Sequence, residues 1–198
     1  MLLVLGTRNQ KKLQELILLL AGHRLNLKSL SDYANAIEVE ETGSTFAENA
    51  ALKAVTQARH LGHWVLGEDS GLCVDVLNGE PGVYSSRFSG KNANDQSNNS
   101  LLLEKMRDIP LQRRTASYTC SMALADPNGA IRATAEAHCR GRIVLKPVGD
   151  SGFGYDPLFE ILEYHQTFGQ LGDSVKSVLS HRARAYRILI PELLRLLS

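Results

Sequence analysis

The chain is organised around one stretch, Trp64-Val65-Leu66-Gly67-Glu68-Asp69-Ser70-Gly71-Leu72. An apolar run, which predicts a buried strand, is followed by two adjacent carboxylates and then by a Ser-Gly pair that predicts a turn. In open α/β sheets, side chains beyond the carboxyl ends of the strands face the crevice in which ligands bind. Two neighbouring acids repel each other there, so a positive partner is expected, and Mg²⁺ carrying substrate phosphates is one such partner. Taken alone, the stretch also fits an acidic surface turn.

The composition excludes several classes of protein. The chain has 198 residues, of which 43% are hydrophobic and 22% are charged, as in ordinary soluble globular proteins. A net charge of +1 gives no reason to expect nucleic acid or an anionic membrane as a partner. No apolar run approaches the length of a membrane span, and no signal peptide is expected. Cys73, Cys120 and Cys139 form no Cys-x-x-Cys motif, which predicts a reduced, cytoplasmic protein.

A phosphate-binding loop is predicted near the N-terminus. Leu2 to Leu5 form an apolar run, a polar segment follows, and apolar residues then recur at helical spacing from Leu13. This order of strand, loop and helix directs backbone N–H groups and the positive end of the helix dipole towards a ligand. Lysines in a first helical turn oppose the dipole by about 0.3–1 kcal/mol each, which bound phosphates would offset. The alternative is that Thr7 and Asn9 only cap the helix.

A capped helix is predicted after a group of glutamates. Thr45-Phe46-Ala47-Glu48 matches a capping box, and the alanine-rich segment to about Arg59 favours a helix. Glu40 and Glu41 precede the start of this helix, where negative charge is favourable in any case. Lys53 lies about two turns into the helix, where a lysine is usually solvated.

The remaining pattern predicts a mixed sheet. A second strand is expected from Leu25 to Leu30, and a helix from Ala93 to Arg107. Alternating apolar and polar residues on both sides of an Asn-Gly turn, over 116–124 and 131–140, predict a long antiparallel hairpin. A further strand is expected over 141–145. Pro191 predicts a kink or a restart of the last helix, because proline breaks helix interiors.

A loop with two aromatic residues follows, Gly152-Phe153-Gly154-Tyr155-Asp156-Pro157. This composition suits a flat ligand, because glycines permit close approach and aromatic rings stack on bases. The alternative is a glycine-rich loop whose rings only cover the core. Lys176 then precedes Ser180-His181-Arg182, with Ser180 as the expected cap of the last helix. The sequence shows no Ser-His-Asp or Cys-His arrangement, which fits water as the nucleophile.

Six segments of the sequence carry a resemblance to a known family. They are Thr7-x-Asn9-x-x-Lys12, Glu40-Glu41-Thr42-Gly43-x-Thr45-Phe46-x-Glu48-Asn49-Ala50, Glu68-Asp69-Ser70-Gly71-Leu72, Pro81-Gly82-x-Tyr84-Ser85, Gly152-Phe153-Gly154-Tyr155-Asp156-Pro157 and Ser180-His181-Arg182. From residue 1 to about residue 190 the chain resembles the inosine triphosphate pyrophosphatase family, whose members hydrolyse noncanonical purine nucleoside triphosphates such as ITP, dITP and XTP to the monophosphate and pyrophosphate. Arg8 stands where a glycine is common, and Glu68 where many relatives have Asp.

The resemblance implies an architecture and a role for each candidate residue. The expected fold is α/β, with a long mixed β-sheet and flanking helices forming two lobes around a central cleft, in a single domain over residues 1–198. Glu40 or Glu41, together with Asp69, is expected to hold Mg²⁺. Asp69 is expected to be the general base, with Glu68 and Lys53 as further catalytic residues. The expected substrate-binding residues are Thr7, Arg8, Asn9, Gln10, Lys11, Lys12, Ser70, Phe153, Gly154, Tyr155, Asp156, Lys176, His181 and Arg182.

Selection among purines has a physical interpretation in these residues. A donor such as Arg182 near C6 of the purine bonds the keto oxygen of hypoxanthine or xanthine. Adenine places an amino group there, and the resulting unpaired donors cost about 1–3 kcal/mol. The resemblance implies purine nucleoside triphosphates and a second copy of the chain, in a homodimer, as partners. Neither nucleic acid nor a membrane is expected.

Two other functions remain open at the level of sequence. A pyrophosphatase of the Maf type has a similar fold and acts on other nucleotides, but it lacks the Ser180-His181-Arg182 ending. A non-catalytic nucleotide- or nucleic-acid-binding protein needs a stripe of basic residues, whereas the basic residues of this chain are interspersed with acids. That function also leaves the Glu68-Asp69 pair without a purpose.

Overall fold

The computed structural model describes residues 2–23 and 25–197 of the chain. Its helices and strands, in order, are β1 (Leu2–Leu5), α1 (Gln10–Leu20), β2 (Asn26–Ser29), α2 (Phe46–Leu61), β3 (Trp64–Val74), α3 (Asp95–Lys105), β4 (Thr115–Ala125), β5 (Ile131–Ile143), β6 (Phe159–Ile161), β7 (Gln166–Thr167), α4 (Phe168–Leu179) and α5 (His181–Leu197). Short 3₁₀ helices lie at Leu30–Asp32, Asp75–Leu77, Gly82–Arg87 and Leu111–Arg113. None of the described helices combines the length and the apolar character that crossing a membrane requires.

The described strands form one seven-stranded sheet in the order β2-β1-β3-β4-β5-β6-β7. β1 pairs in parallel with both β2 and β3, whereas β6 pairs antiparallel with both β5 and β7. The α/β fold class and the mixed sheet predicted from the sequence are therefore confirmed.

The chain divides into two compact units. Unit 1 comprises Met1–Asp69, Cys120–Ala137 and Arg182–Ser198, and unit 2 comprises Ser70–Thr119 and His138–His181. The long strands β3, β4 and β5 contribute residues to both units. The single domain and the central cleft expected from the resemblance stay predictions.

Unit 1 buries both faces of its strands. Leu3 and Leu5 belong to a core cluster that also contains buried apolar residues of α1 and α5. Val4, which points to the opposite face, belongs to a second cluster with the alanines of α2. The part of the sheet in unit 1 is thus covered by α1 and α5 on one face and by α2 on the other, which is the layering of an α/β protein.

Unit 2 has a separate core rich in aromatic residues. Tyr118 of β4 lies 4.7 Å from Phe159 of β6, measured between ring centroids, and Phe159 stacks on Phe168 of α4 at 5.7 Å. Leu102 of α3 and the residue that follows this helix, Met106, are buried in the same cluster. The predicted helix over 93–107 is confirmed as α3, with Asn94 as its N-cap.

The course of β3 differs from the prediction. The sequence predicted a turn at Ser70-Gly71, but the strand runs without interruption from Trp64 to Val74. The turn composition is overridden because β3 lies beside β4, which is equally long, in the sheet. β1, in contrast, ends at Leu5, opposite Leu66. Glu68 and Asp69 therefore still lie just beyond the end of the parallel pairing, although they are not at the end of their own strand.

The hairpin and the last helix also bring corrections. β4 and β5 are neighbours joined by a tight turn, in which the Asp126 N–H donates to the Ala130 carbonyl at 3.0 Å. Alternate residues are exposed along β5, whereas β4 is buried on both faces because it is a central strand. The strand expected over 141–145 is the end of β5 instead. The predicted restart of the last helix at Pro191 is wrong, because α5 is continuous through this residue. Proline has no N–H to donate to the Arg187 carbonyl, and both residues are exposed.

Candidate active site

The position of α2 against β3 depends on Gly67. A Cβ atom at this residue would lie 2.3 Å from the Ala50 carbonyl oxygen and 2.7 Å from the Ala54 nitrogen, so only glycine fits. The helix backbone can therefore lie directly against the strand, immediately before its two acids. Asn49 and Lys53 are four residues apart and share one face of α2. The close packing of helix and strand brings both side chains to Asp69.

Asp69 is held by donors on both of its oxygens. Lys53 Nζ lies 2.9 Å from Asp69 Oδ1 and 2.9 Å from Glu41 Oε1, and Asn49 Nδ2 donates to Asp69 Oδ2 at 3.2 Å. The side chains of Lys53 and Asp69 are only 13% and 8% exposed. Burial on its own lowers the pKa of Lys53, but the carboxylates of Asp69 and Glu41 outweigh it and raise that pKa above its ordinary value. Lys53 is therefore a fixed cation between two carboxylates.

The structure separates the two glutamates that the sequence left as alternatives. Glu41 is half-buried and bonded to Lys53, whereas Glu40 is exposed. Glu41 is consequently the glutamate that this structure brings to Asp69.

Glu68 belongs to a second ionic group. Arg182 Nε and Nη2 donate to the two carboxylate oxygens of Glu68 at 2.9 Å each, and Arg182 Nη1 donates to Glu15 of α1. Lys12 Nζ lies 3.4 Å from Glu68 Oε1. The side chains of Arg182 and Glu68 are 2% and 1% exposed. Although burial opposes the charge, the carboxylates of Glu68 and Glu15 raise the pKa of Arg182 well above its ordinary value.

This placement changes the role favoured for Arg182. The sequence suggested a contact with the purine edge, but three nitrogens of the guanidinium donate to carboxylates of unit 1. The geometry favours a role for Arg182 in holding Glu68 in place. Glu68 is correspondingly an ion-pair partner in this structure, whereas Asp69 and Glu41 form the neighbouring cluster around Lys53.

The N-terminal loop forms the start of α1. Asn9 is the N-cap, and its Oδ1 accepts from the backbone N–H groups of Lys11 and Lys12 at 3.1 and 3.2 Å. Thr7 Oγ1 accepts from the Asn9 N–H at 3.1 Å, so both polar side chains support the loop. Arg8 Nη2 donates to the Ala36 carbonyl at 2.6 Å, whereas Gln10 and Lys11 are exposed. Asn9 therefore caps α1, and Lys12 reaches Glu68, whereas phosphate binding by this loop stays a prediction.

In unit 2, Asp156 organises the aromatic loop, residues 152–157. Its Oδ2 accepts from the Phe153 backbone N–H at 2.8 Å and from Lys176 Nζ at 2.7 Å. The side chains of Lys176 and Asp156 are 4% and 2% exposed. Lys176 Nζ also lies 4.2 Å from the centroid of the Phe153 ring, a cation–π contact. Tyr118 Oη donates to Asp156 Oδ1 at 3.4 Å.

The other predicted residues of unit 2 differ in exposure. Phe153 is half-buried, whereas Tyr155 is buried in the core and its hydroxyl donates to the Ser85 carbonyl at 2.8 Å. The stacking expected of both rings is therefore better supported for Phe153. His181 is buried and stacks on Tyr118 at 4.7 Å, and Ser70 is half-buried in β3 directly after Asp69.

The sequence reasoning missed several residues that hold these groups. Asn49 bridges the Gly43 N–H, at 2.8 Å, and Asp69, and its position four residues before Lys53 was a signal for it. Glu15 lies three residues after Lys12 on the same helix and could have been found by the same spacing. Tyr118 gave no such signal, because its partner Asp156 is distant in sequence.

The carboxylate oxygens around Lys53 are suitable ligands for a magnesium ion. No group of three or more His, Cys, Asp or Glu side chains in the described ranges is arranged as a metal site. Asp69 and Glu41, however, direct one carboxylate each at a common cation, with both oxygens 2.9 Å from Lys53 Nζ. Mg²⁺ takes one or two carboxylates when phosphates supply further ligands, so this pair of oxygen donors is a suitable set.

Fold and cluster together define a class, an α/β protein with a buried acid–lysine group at the carboxyl edge of its parallel strands, where such proteins bind their ligands. A model of the Ham1 family matches residues 3–192, and the chain belongs to that family. The resemblance seen in the sequence is thereby confirmed.

Similar proteins are known from sequence and structure. A protein of Rhodopirellula baltica named dITP/XTP pyrophosphatase is 53% identical over 196 residues, which cover 99% of this chain and 94% of that protein. A protein of Exiguobacterium sibiricum with the same name is 47% identical, covering 96% and 95%. The structure of a HAM1 protein from Coxiella burnetii is similar with a TM-score of 0.90 and 35% identity, covering 98% of this chain and 99% of that one. The structure of a nucleoside-triphosphatase or dITP/XTP pyrophosphatase from Mycobacterium abscessus has a TM-score of 0.78 and 40% identity, covering 98% and 100%.

Proposed function

We propose that this protein hydrolyses noncanonical purine nucleoside triphosphates, namely dITP, ITP and XTP, to the nucleoside monophosphate and pyrophosphate. Relatives with the name dITP/XTP pyrophosphatase support this function over nearly the whole chain. The structural observation that supports it most is Lys53, whose ammonium lies 2.9 Å from both Asp69 and Glu41. This arrangement offers a phosphate-binding cation beside a buried carboxylate.

Lys12 and Lys53 are the residues proposed to bind the triphosphate. Each is only partly exposed and is held by carboxylates of unit 1, so its ammonium is fixed before a ligand arrives. The first turn of α1 contains no acidic residue, and its dipole favours an anion there. Fixed cations and a helix N-terminus neutralise phosphate charge with little reorganisation.

Asp69 is the proposed general base. Donors on both oxygens, Lys53 and Asn49, fix the orientation of its carboxylate. In the proposed reaction the water oxygen bonds to the α-phosphorus, and one water proton goes to an Asp69 oxygen. The bond between the α-phosphorus and the bridging oxygen breaks, and this oxygen leaves with the pyrophosphate. Asp69 and Glu41 are the residues proposed to hold Mg²⁺, which, when bound, neutralises phosphate charge and makes water a better nucleophile.

The aromatic loop of unit 2 is proposed to bind the base. Phe153 offers a half-buried ring for stacking, and the buried Lys176–Asp156 pair offers both a donor and an acceptor. Hypoxanthine and xanthine present a keto oxygen at C6 and a hydrogen on N1, which match this pair. Adenine presents the opposite pattern, so a buried group stays unpaired and discrimination follows. His181 lies against Tyr118 of the same unit and is proposed to support the loop.

The proposal includes a homodimer and action in the cytoplasm, both as predictions from the sequence. Size-exclusion chromatography with light scattering would test the homodimer directly.

A pyrophosphate-release assay tests the proposed function. Purified protein is incubated with ITP, dITP, XTP, GTP or ATP, with Mg²⁺ or with excess chelator. We expect ITP, dITP and XTP to be preferred over ATP and GTP by several orders of magnitude. For ATP, the buried polar mismatch supplies a factor of about 10⁴ in favourable sites. This mismatch does not account for GTP, because guanine carries the same keto oxygen and N1 hydrogen as hypoxanthine. Chelation is expected to stop turnover. A preference for pyrimidine or ordinary purine triphosphates would instead support the Maf-type alternative, and nucleotide binding without pyrophosphate release would support a binding protein.

A further inference from the structure

Gly154, between Phe153 and Tyr155, is held through its backbone by α3. Its φ of +62° lies in the left-handed region that favours glycine. The Gly154 N–H donates to Asp95 Oδ2 at 2.9 Å, and the Gly154 carbonyl accepts from Asn99 Nδ2 at 3.0 Å. Both polar backbone groups of this residue are therefore bonded to one helix.

Asp95 and Asn99 are placed for this task by the start of α3. They are four residues apart and so lie on one face of the helix. Asn94 caps the helix, with its Oδ1 accepting from the Ser97 N–H at 2.9 Å, which fixes the first turn. The clamp of Asp95 and Asn99 thus has a rigid base.

The same helix also holds the segment that contacts Tyr155. Asn98, which is buried, donates to the Ser86 carbonyl at 3.2 Å and accepts from the Ser89 N–H at 2.8 Å. The Tyr155 hydroxyl donates to the carbonyl of the neighbouring Ser85 at 2.8 Å. α3 therefore fixes both the aromatic loop and a segment packed against it.

We infer that Asp95 and Asn99 are positioning residues for recognition of the base, because they hold the backbone of Gly154 and thereby fix the orientation of the neighbouring Phe153 ring. The inference rests on the proposed function of the aromatic loop. Gly152 and Gly154 both have positive φ, so the Phe153 segment lies between two residues with wide backbone freedom. Asp156 holds one side of this segment, through the Phe153 N–H, and the α3 clamp holds the other.

Isothermal titration calorimetry with IMP and with pyrophosphate tests this inference. IMP carries the base, whereas pyrophosphate carries none and reports on the phosphate-binding residues of unit 1. For Asp95→Ala/Asn99→Ala we expect binding of IMP to weaken about tenfold, the scale of losing hydrogen bonds that include a charged acceptor, with pyrophosphate affinity within about twofold of wild type. Asp95→Asn keeps an acceptor oxygen and is expected to bind IMP within about twofold of wild type.

Matched controls lie on the same helix. Gln96→Ala changes the neighbouring exposed residue, and Glu104→Ala removes an exposed charge from the last turn, so both are expected to bind IMP as the wild type does. If the double variant fails to fold by circular dichroism, Asp95→Ala and Asn99→Asp take its place. Asn99→Asp places a carboxylate against the Gly154 carbonyl and is expected to weaken IMP binding.

The outcomes separate this inference from the function on which it rests. A folded clamp variant with the IMP affinity of Gln96→Ala, or an equal loss of affinity for IMP and pyrophosphate, would overturn the inference. The wild type serves as the reference for the function itself. If it binds no IMP and releases no pyrophosphate from ITP, the proposed function falls, and the role of α3 falls with it.

Discussion

Replacing Arg182 tests the role that the structure gives it. Arg182→Met keeps most of the aliphatic stem but removes the guanidinium that donates to both oxygens of Glu68 at 2.9 Å. The Glu68 side chain, which is 1% exposed, then retains Lys12 Nζ at 3.4 Å. Breaking a buried ion pair by removing one partner costs about 3–5 kcal/mol. Because Lys12 keeps part of the compensation, we expect the free energy of unfolding to fall by about 3 kcal/mol.

A double-mutant cycle separates the ion pair from other effects of the change. Replacing both partners by apolar groups of similar size is often close to neutral, so Arg182→Met/Glu68→Leu is expected to recover most of the loss. Urea unfolding at pH 7, followed by Trp64 fluorescence and by circular dichroism, measures each variant, and coincident curves support two-state analysis. A coupling free energy of about 2 kcal/mol or more between the two sites is expected.

The activity of the variant distinguishes the two roles considered for Arg182. If Arg182 contacts the base, Arg182→Met is expected to lose ITP hydrolysis with little change in the residual rate on ATP. If Arg182 holds Glu68, both rates are expected to fall by the same factor. An Arg182→Met variant that loses less than about 1 kcal/mol of stability and loses activity on ITP alone would refute the role of holding Glu68.

Three further predictions follow from the same unit. Asp69→Asn should lower kcat by about 10²- to 10⁴-fold in the pyrophosphate assay without changing the circular dichroism spectrum, and a folded variant with most of its turnover would remove Asp69 from the mechanism. The pKa of Lys53 is raised, so its contribution to stability should be complete below about pH 10 and lost as the pH rises through the raised value. In urea unfolding, the difference in free energy of unfolding between wild type and Lys53→Met should therefore be equal at pH 6 and pH 9 but smaller at pH 11. Thr45→Ala should cost about 1 kcal/mol because its Oγ1 caps the Glu48 N–H, whereas Thr42→Ala, exposed and outside the capping box, should cost little.

Local signals predicted the elements that local interactions form. The capping box at Thr45–Glu48 is present, with hydrogen bonds in both directions, and α2 begins at Phe46. The alternation on either side of the Asn-Gly turn predicted β4 and β5, because a period of two needs only neighbouring residues to be read. The short strands β6 and β7 were not predicted, since two or three residues leave too little pattern.

Partners that are distant in sequence could not be predicted in the same way. Arg182 and Glu68 are 114 residues apart, and nothing in either segment shows that the guanidinium meets this carboxylate. The interruption expected in β3 failed for a related reason, because the composition of Ser70-Gly71 is local whereas the pairing that keeps the strand extended is not. The sequence could identify most of the candidate residues but could not assign each charge to its partner.

The charges around Lys53 explain why a divalent cation is expected to accompany the substrate. In this structure the single ammonium already lies 2.9 Å from two carboxylates, Asp69 and Glu41. A triphosphate that approached Lys53 would therefore also approach these carboxylates, and like charges in a poorly solvated place repel each other strongly. Lys12 gives limited relief, since its ammonium is close to Glu68. The lysines alone thus cannot neutralise both the carboxylates and the phosphates, whereas the same carboxylates become favourable ligands once a divalent cation arrives with the triphosphate.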